Sequence, residues 1–176
     1  MAVGGRVEYI ALDGIPHVSP GDNLAVIVRA ALTGMALRLE RGDVLVIAQK
    51  IVSKSEGRYV RLADIEPSAA ALELAKTVGK DPRFIEVVLG ESDEIVKHRP
   101  NVLIAAHRLG FVMANAGIDQ SNIEHHDGEE RVLLLPKDPD GSARELKAML
   151  DPDDGLGLGV VINDSFGRPW RNGVVG

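Results

Sequence analysis

The sequence predicts an α+β protein with mixed sheets and flanking helices. Hydrophobic residues make up 45% of the 176 residues and charged residues 26%, which is the usage of an ordinary globular protein. Segments with strand and helix patterns follow one another without the regular rhythm of a doubly wound fold, which favours mixed sheets over a single parallel sheet. Aromatic residues are only 3%, so we expect a core of Val, Leu, Ile and Ala.

The first half of the chain has strand and helix patterns separated by turns rich in Pro and Gly. A helix is predicted from about Leu24 to Leu37, because apolar residues recur there at helical spacing after a capping Asp22 or Asn23. The other predicted elements are a strand over 7–12, a loop over 13–23, a strand over 44–48, a helix opened by Pro67 and ending near Gly79, and a helix over 84–96.

The second half contains short apolar runs of strand type. A Ser142–Glu145 capping-box pattern accompanies a predicted helix over 140–150. The final Gly-Val-Val-Gly is small and apolar, and we expect it to begin a buried element that a longer chain completes. The other predictions are paired strands over 102–106 and 110–114, an irregular polar stretch over 115–127, strands over 132–135 and 157–162, and a turn over 151–155.

Composition excludes several classes of protein. The chain has no cysteine, which excludes a disulfide framework, a zinc ribbon and a cysteine nucleophile. A formal net charge of −6 argues against a general nucleic-acid-binding surface. The N-terminus lacks the pattern of a signal peptide, and no apolar run has the length of a membrane span. We therefore expect a cytoplasmic protein with neither nucleic acid nor membrane as a partner.

The first of three polar segments is QKIVSKSEGR, residues 49–58, directly after the predicted strand over 44–48. Lys50 and Lys54 would neutralise phosphate charge, and hydroxyl and loop N–H groups would donate hydrogen bonds to it. The glycine spacing of a Walker loop is absent. The alternative is a solvated loop with ordinary surface lysines.

The second polar segment is NAGIDQSN, residues 115–122. Its small residues permit tight turns, and the spacing of Asp119, Ser121 and Asn122 would let a loop direct their oxygens at one point. Oxygen ligands of this kind suit Mg²⁺ or Mn²⁺. The alternative is an Asx-rich turn that satisfies its own backbone.

The third polar segment is NDSFGRPWR, residues 163–171, after the predicted strand over 157–162. Asp164 and Ser165 followed by Arg168 and Arg171 would hold a metal and an anion side by side. The alternative is a capping Asp and a buried Trp170 in a rigid Gly-Pro turn. The two arginines weigh against that alternative, because buried arginine needs a partner.

A site that brings Asp119 and Asp164 together requires a divalent metal ion. Two carboxylates about 4 Å apart repel by roughly 4 kcal/mol at an effective dielectric near 20, and a triphosphate would add to that repulsion. Divalent cations between acids and phosphates, flanked by Lys and Arg, are the usual equipment of phosphoryl transfer.

Taken together, the segments resemble the coenzyme F-420:γ-L-glutamyl ligase family. The resemblance covers nearly the whole chain in the right order. The stretches that carry it are GIP (14–16), PGDNL (20–24), GDVLVIAQKIVSKSEGR (42–58), HRLGFVMANAGIDQSN (107–122), RVLLLPKDPDGSA (131–143) and VVINDSFGRPWRNG (160–173).

The resemblance implies a GTP-dependent ligase of coenzyme F420 biosynthesis. A carboxylate of the deazaflavin precursor would be activated as an acyl phosphate, and L-glutamate would displace phosphate to form an amide. The expected cofactors are Mg²⁺ or Mn²⁺, two ions in all, and K⁺. The implied metal ligands are Asp119, Asp164 and Ser165, with Asp119, Asp164 and Arg168 as catalytic residues. The implied nucleotide contacts are Gly14, Ile15, Pro16, Gln49, Lys50, Lys54 and Asn122.

The resemblance also implies an unusual ligase fold that forms an intertwined homodimer. Residues 1–176 would be the N-terminal portion of one ligase domain, and we expect a chain ending at Gly176 to be far less active than a longer one. Two other classes stay open on the residues alone. One is a non-catalytic fragment for GTP or metal binding or for dimerisation, and the other is a metal-dependent phosphotransferase.

Overall fold

The computed structural model describes residues 5–120, 130–167 and 174–175, and these confirm the α+β class. Short 3₁₀ turns cover Leu62–Asp64 and Asn115–Gly117. The helices are α1 (Leu24–Gly34), α2 (Gln49–Ser55), α3 (Ala69–Val78), α4 (Pro82–Gly90) and α5 (Pro139–Leu150). The strands are β1 (Val44–Ala48), β2 (Tyr59–Arg61), β3 (Ser92–Arg99), β4 (Val102–His107), β5 (Val112–Ala114), β6 (Arg131–Leu133), β7 (Gly159–Asn163), β8 (Phe166–Gly167) and β9 (Val174–Val175).

Within the described ranges the strands form four small sheets rather than one large one. Strands β3, β4 and β5 make an antiparallel sheet, and β2 pairs antiparallel with β6. Strands β1 and β7 are parallel, with Val44 opposite Gly159 and Ala48 opposite Asn163. Strand β8 pairs antiparallel with β9, so Val174 and Val175 form a short strand.

The larger hydrophobic cluster, here the α3–α4 core, joins helices α3 and α4 to strands β4 and β6. In β4 every second side chain is buried, which is the alternation expected of a strand with one covered face. Small residues of α3 allow close approach, and branched residues of α4 fill the space between the layers. Its fully buried members include Ala71, Val78, Ile85, Val88, Ala105 and Val132.

The smaller cluster, here the α1–α5 layer, covers one face of the β1/β7 pair. Leu45 and Ile47 face this layer from β1, and Val28 of α1 and Leu146 of α5 pack there. The opposite face is open, because Val44, Val46 and Val161 are all about half exposed or more. Within the part of the chain that the structure describes, the β1/β7 pair therefore has a hydrophobic layer on one side only.

The predicted strand over 7–12 is wrong. Residues 5–19 have no regular secondary structure, and Val7, Tyr9 and Ile10 are exposed. The apolar alternation is present, but the described residues offer these backbone groups no partner strand, and a strand needs a ladder of hydrogen bonds. The helix that follows is confirmed with Asn23 as its cap, although it ends at Gly34 instead of Leu37.

The predicted helix over 84–96 is wrong in its second half. Helix α4 ends at Gly90, and Ser92–Arg99 forms β3, which pairs with β4. The intervening turn contains Asn101 at φ 64°, and its N–H donates to the carbonyl of Val78. Pairing in this hairpin overrides the local helical pattern, which is the usual way that tertiary context defeats propensity.

Two smaller corrections concern helix starts. Helix α3 begins at Ala69 after a capping Ser68, two residues beyond Pro67. The capping box of α5 is not formed, because Asp138 caps the helix by accepting from the Gly141 N–H. Ser142 Oγ instead donates to Glu56 Oε1 at 2.6 Å. The other predicted strands and the 151–155 turn are observed with ends shifted by up to two residues.

Candidate functional site

The parallel pairing of β1 and β7 brings the first and third polar segments to one edge. Both strands end there, with Ala48 opposite Asn163. Gln49 and Lys50 follow β1 directly, and Asp164 and Ser165 follow β7. Parallel strands deliver their carboxyl ends to the same side of a sheet, which is where α/β proteins commonly bind ligands.

The first polar segment is a helix, not the loop that we predicted. Apolar Ile51 and Val52 lie on the covered side of α2, and Val52 is fully buried. Gln49 is buried as well, and its Nε2 donates to Ser53 Oγ at 2.6 Å. Of the predicted nucleotide contacts in α2, Lys50 and Lys54 are therefore the ones that reach solvent, each partly exposed.

The second polar segment meets the first through an ion pair between Lys50 Nζ and Asp119 Oδ2. The Asp119 side chain is 20% exposed and that of Lys50 is 39% exposed. The Asp119 backbone is fixed by a two-way pairing with Leu133, in which Asp119 N donates to Leu133 O at 3.0 Å and Leu133 N donates to Asp119 O at 2.9 Å. The carboxylate is thus largely covered, positioned by β6 and neutralised by Lys50.

A left-handed turn leads into Asp119. Asn115, Ala116 and Gly117 have φ of 52°, 53° and 69°, a conformation that costs a non-glycine residue roughly 1–2 kcal/mol. Glycine is required at 117, because a Cβ there would lie 2.9 Å from Met113 Sδ and 3.1 Å from the Leu135 methyl carbons. The small residues of NAGID are therefore needed for a compact turn beside strand β6.

Asp164 and Ser165 connect β7 to β8, with Asp164 partly buried and Ser165 exposed. Ser165 N donates to Asp164 Oδ1 at 2.9 Å. Carboxylate and hydroxyl oxygens are hard donors, and Mg²⁺ commonly takes one or two carboxylates together with substrate phosphates. The described residues contain no cluster of three or more His, Asp, Glu or Cys side chains that could hold a metal ion. The donor set at this edge fits a cation completed by a phosphorylated ligand.

The structure does not bring every predicted residue to this edge. Gly14, Ile15 and Pro16 belong to the exposed N-terminal segment. Ile15 lines an open cavity of about 580 Å³ between that segment, α1 and β1, which also contains Leu12, Leu39 and Val46. Asn122 and Arg168 lie outside the described residues.

A second charged cluster was missed by reading the sequence. Glu91 Oε2 lies 2.8 Å from the Arg58 guanidinium, 3.0 Å from that of Arg108 and 3.5 Å from Nε2 of the fully buried His107. His107 Nδ1 accepts from the Leu109 N–H at 2.9 Å, so the neutral ring carries its proton on Nε2, facing Glu91.

The Glu91 cluster is electrostatically compensated. Burial alone would raise the pKa of Glu91, but the neighbouring His107 and the charges of Arg58 and Arg108 more than offset it and lower that pKa. Arg58 Nε also donates to the Leu135 carbonyl at 2.9 Å. No local pattern pairs these groups, because Glu91 is 33 residues from Arg58 and 17 from Arg108.

Residues 14–176 match the family model described as F420-0:Gamma-glutamyl ligase. The chain is 44% identical over 170 residues to a protein named coenzyme F420:L-glutamate ligase from Methanothermobacter thermautotrophicus. Proteins of the same name from Methanopyrus kandleri and Archaeoglobus fulgidus are 46% and 42% identical over 171 residues.

These alignments cover nearly all of this chain but only part of each relative. Each takes in 97% of this chain, while the chain spans 66%, 64% and 65% of the three relatives, in the order named. Among the described residues, no helix has both the length and the apolar character needed to cross a membrane.

Proposed function

The chain belongs to the F420-0:gamma-glutamyl ligase family, and from that premise we propose that it joins L-glutamate to the F420 precursor through an amide bond. The proposal assigns to this protein the activity that the name of its relatives states. We further propose that the reaction uses GTP, releases GDP and depends on Mg²⁺ or Mn²⁺, with K⁺ assisting.

One observation carries the proposal. Three polar segments that are far apart in the sequence converge on the carboxyl edge of the β1/β7 pair, with Lys50 bound to Asp119 and with Asp164 delivered by the parallel register. A cation paired with one acid, with a second acid following the neighbouring strand, supplies the charged groups that phosphoryl transfer needs. It favours a reaction centre over a solvated loop and an Asx-rich turn, which were the alternatives for the first two segments.

The proposed chemistry has two steps. A carboxylate oxygen of the precursor attacks the γ-phosphorus of GTP, so that GDP leaves and an acyl phosphate forms. The amine of L-glutamate then attacks the acyl carbon, phosphate leaves, the amine loses a proton and the amide remains. When bound, the divalent ion neutralises phosphate charge and orients the phosphoryl group. Asp119, Asp164 and Ser165 would hold it.

The side chains near this edge would have distinct roles. The Lys50 ammonium balances Asp119 and would contact phosphate oxygens. Lys54, one turn further along α2, would add a second positive charge. We propose that Asn122, Gly14, Ile15 and Pro16 complete the nucleotide contacts and that Arg168 stabilises the transferring phosphoryl group. An intertwined homodimer is also part of this proposal, on the family resemblance.

The test is release of GDP by the purified protein in the presence of Mn²⁺. The ligase account predicts sustained release, beyond one equivalent of GDP per site, only when both L-glutamate and the F420 precursor are present. Sustained release without either co-substrate would identify a phosphatase, and sustained release with the precursor alone would identify a phosphotransferase. GTP binding without release would identify a binding module. Competition between GTP and ATP checks the nucleotide, and equal affinity would remove the guanine preference.

A matched pair of variants locates the activity. Asp119→Asn removes the charge proposed to hold the divalent ion, and we expect kcat/KM to fall by about 100-fold or more. Asp93→Asn makes the same change on the exposed face of β3 and should leave kcat/KM unchanged. Equal activity of the two variants would remove Asp119 from the reaction.

A further inference from the structure

We propose that Lys80 is a positioning residue for Asp119, which it holds in place through Asn115 and the left-handed turn Asn115–Gly117. This inference rests on the proposed role of Asp119 as a metal ligand. It adds a residue from outside the three polar segments, in the connection between α3 and α4.

The contact that carries the inference is a hydrogen bond from Lys80 Nζ to Asn115 Oδ1 at 2.8 Å. The two residues are 35 positions apart, so the bond ties the connection between α3 and α4 to the segment that follows β5. Asn115 is the first of the three residues with positive φ. Its side chain is therefore held at the point where the left-handed turn begins.

Lys80 is itself well fixed. Gly79, just before it, ends α3 in the left-handed conformation, and Asp81, just after it, caps α4 by accepting from the Arg83 N–H at 2.7 Å. The ammonium lies 5.5 Å from the centre of the Phe84 ring, a cation–π distance. Burial lowers the pKa of Lys80. A long side chain anchored at both ends is a suitable support for a strained turn.

The turn needs support because its backbone is unfavourable for Ala116. At the far end of the turn, Met113 and Leu135 leave no room for a side chain at Gly117. The Ile118 N–H donates to the Asn115 carbonyl at 3.1 Å. Two residues beyond Gly117 lies Asp119, paired with Leu133 and bound to Lys50. Relaxation of Asn115 would therefore shift the carboxylate, since little chain lies between them.

The experiment compares Lys80→Met with Lys76→Met. Lys76 lies on the exposed side of α3 and pairs only with Glu73 of the same helix among the contacts described. Lys76→Met therefore removes the same charge as Lys80→Met without removing a bond to Asn115. Hydrogen exchange of the Asp119 and Leu133 amides reports on the turn. We expect about tenfold faster exchange in Lys80→Met, with no change in Lys76→Met or in the amides of α1. Mn²⁺ titration should show about tenfold weaker binding, within the range for residues that orient metal ligands.

A second pair of variants keeps the test decisive if Lys80→Met does not fold. Asn115→Asp keeps an acceptor for Lys80 and tolerates positive φ, whereas Asn115→Ser is too short to reach the ammonium. Exchange at Asp119 should be normal in Asn115→Asp and about tenfold faster in Asn115→Ser. The double variant Lys80→Met/Asn115→Ser should be no worse than either single variant, because both remove the same bond.

The outcomes separate the inference from the function on which it rests. Unchanged exchange at Asp119 in both Lys80→Met and Asn115→Ser, or fully additive effects, would overturn the positioning role. Faster exchange in the variants, with no Mn²⁺ binding even by the unaltered protein, would support the positioning of Asp119 and overturn its role as a metal ligand.

Discussion

The α3–α4 core and the α1–α5 layer differ in how much apolar surface they bury. Among the described residues, the core contains 14 buried hydrophobic residues and the layer contains seven. The inward side chains of β4 are at most 1% exposed, whereas in β1 Ile47 is 8% exposed and Leu45 is only partly buried. Burial of apolar surface is the main stabilising term in folding. The comparison teaches that the core supplies most of the stability.

The candidate site lies where these two regions meet. Lys50 comes from α2, which follows β1 of the layer, and Asp119 is fixed to β6, which packs with the core. The Lys50–Asp119 ion pair is therefore a contact between regions of unequal packing. Changes inside the core should unfold the protein, and changes at the contact should alter function with little cost in stability.

The largest effect is expected deep in the core. Ile85→Ala removes a fully buried side chain of α4 and should lower the free energy of unfolding by about 4 kcal/mol, through lost burial and the cavity left behind. Urea denaturation measures it. A loss below about 1 kcal/mol would mean that the core is not the main source of stability.

A slightly smaller effect is expected at the charged edge of the core. Glu91→Gln leaves the guanidinium groups of Arg58 and Arg108 without their carboxylate partner, and at pH 7 should cost about 3 kcal/mol. Glu94→Gln, three residues along β3 and exposed, is the matched control. It should change the free energy of unfolding by less than about 0.5 kcal/mol. Similar losses in the two variants would contradict the ascribed role of Glu91.

The same variant predicts a pH dependence. Because the pKa of Glu91 is lowered in the folded protein below its ordinary value of 4.5, its contribution is complete above pH 4.5 and is lost as the pH falls through the folded value. The stability difference between the unaltered protein and Glu91→Gln should hold from about pH 7 to pH 5 and shrink below pH 4.5. A difference that grows on acidification would have the wrong sign.

An effect of intermediate size is expected in the layer. Asn23 caps α1 by accepting from the Val26 N–H at 3.2 Å, and Asn23→Ala should cost about 1 kcal/mol, as cap losses typically do. In Asn23→Ala, hydrogen exchange should be accelerated more in α1 than in α4, because opening of the layer does not require opening of the core. Equal acceleration in both helices would show that the two regions unfold as one cooperative unit.

The smallest effect is expected on the open face of β1. Val46→Thr replaces an exposed valine by a residue of similar shape and strand preference, and should change the free energy of unfolding by less than about 0.5 kcal/mol. Thermal unfolding at several protein concentrations checks it. A large, concentration-dependent loss would show that this face is covered in solution.

Sequence reading predicted strands β1 and β7 of the layer better than strand β3 of the core, although it missed helix α2 of the layer. Strand β1 was predicted at its observed bounds and β7 to within two residues, since compact apolar runs between turn signals are hard to mistake. In the core, residues 92–96 of β3 were predicted as helix, because Phe84–Val88 set a helical period that the following residues do not contradict. The β3–β4 pairing is a tertiary contact with no local signature.

The same division holds for the site. The polar segments of Asp119 and Asp164 were identified from the oxygen side chains that follow predicted strands, and Lys50 from its place after β1. The Lys50–Asp119 pair, the Lys80–Asn115 bond and the Glu91 cluster were not predictable, because each joins residues far apart in the chain. Residue type indicates what chemistry a segment offers, and only packing determines which segments meet.

The most direct test of the central claim is a calorimetric Mn²⁺ titration of the unaltered protein and three carboxylate variants. If a divalent metal is held where the core and the layer meet, Asp119→Asn and Asp164→Asn should each weaken Mn²⁺ binding by at least about tenfold, while Asp93→Asn binds as the unaltered protein does. Mn²⁺ affinity that is unchanged in both Asp119→Asn and Asp164→Asn would contradict the account.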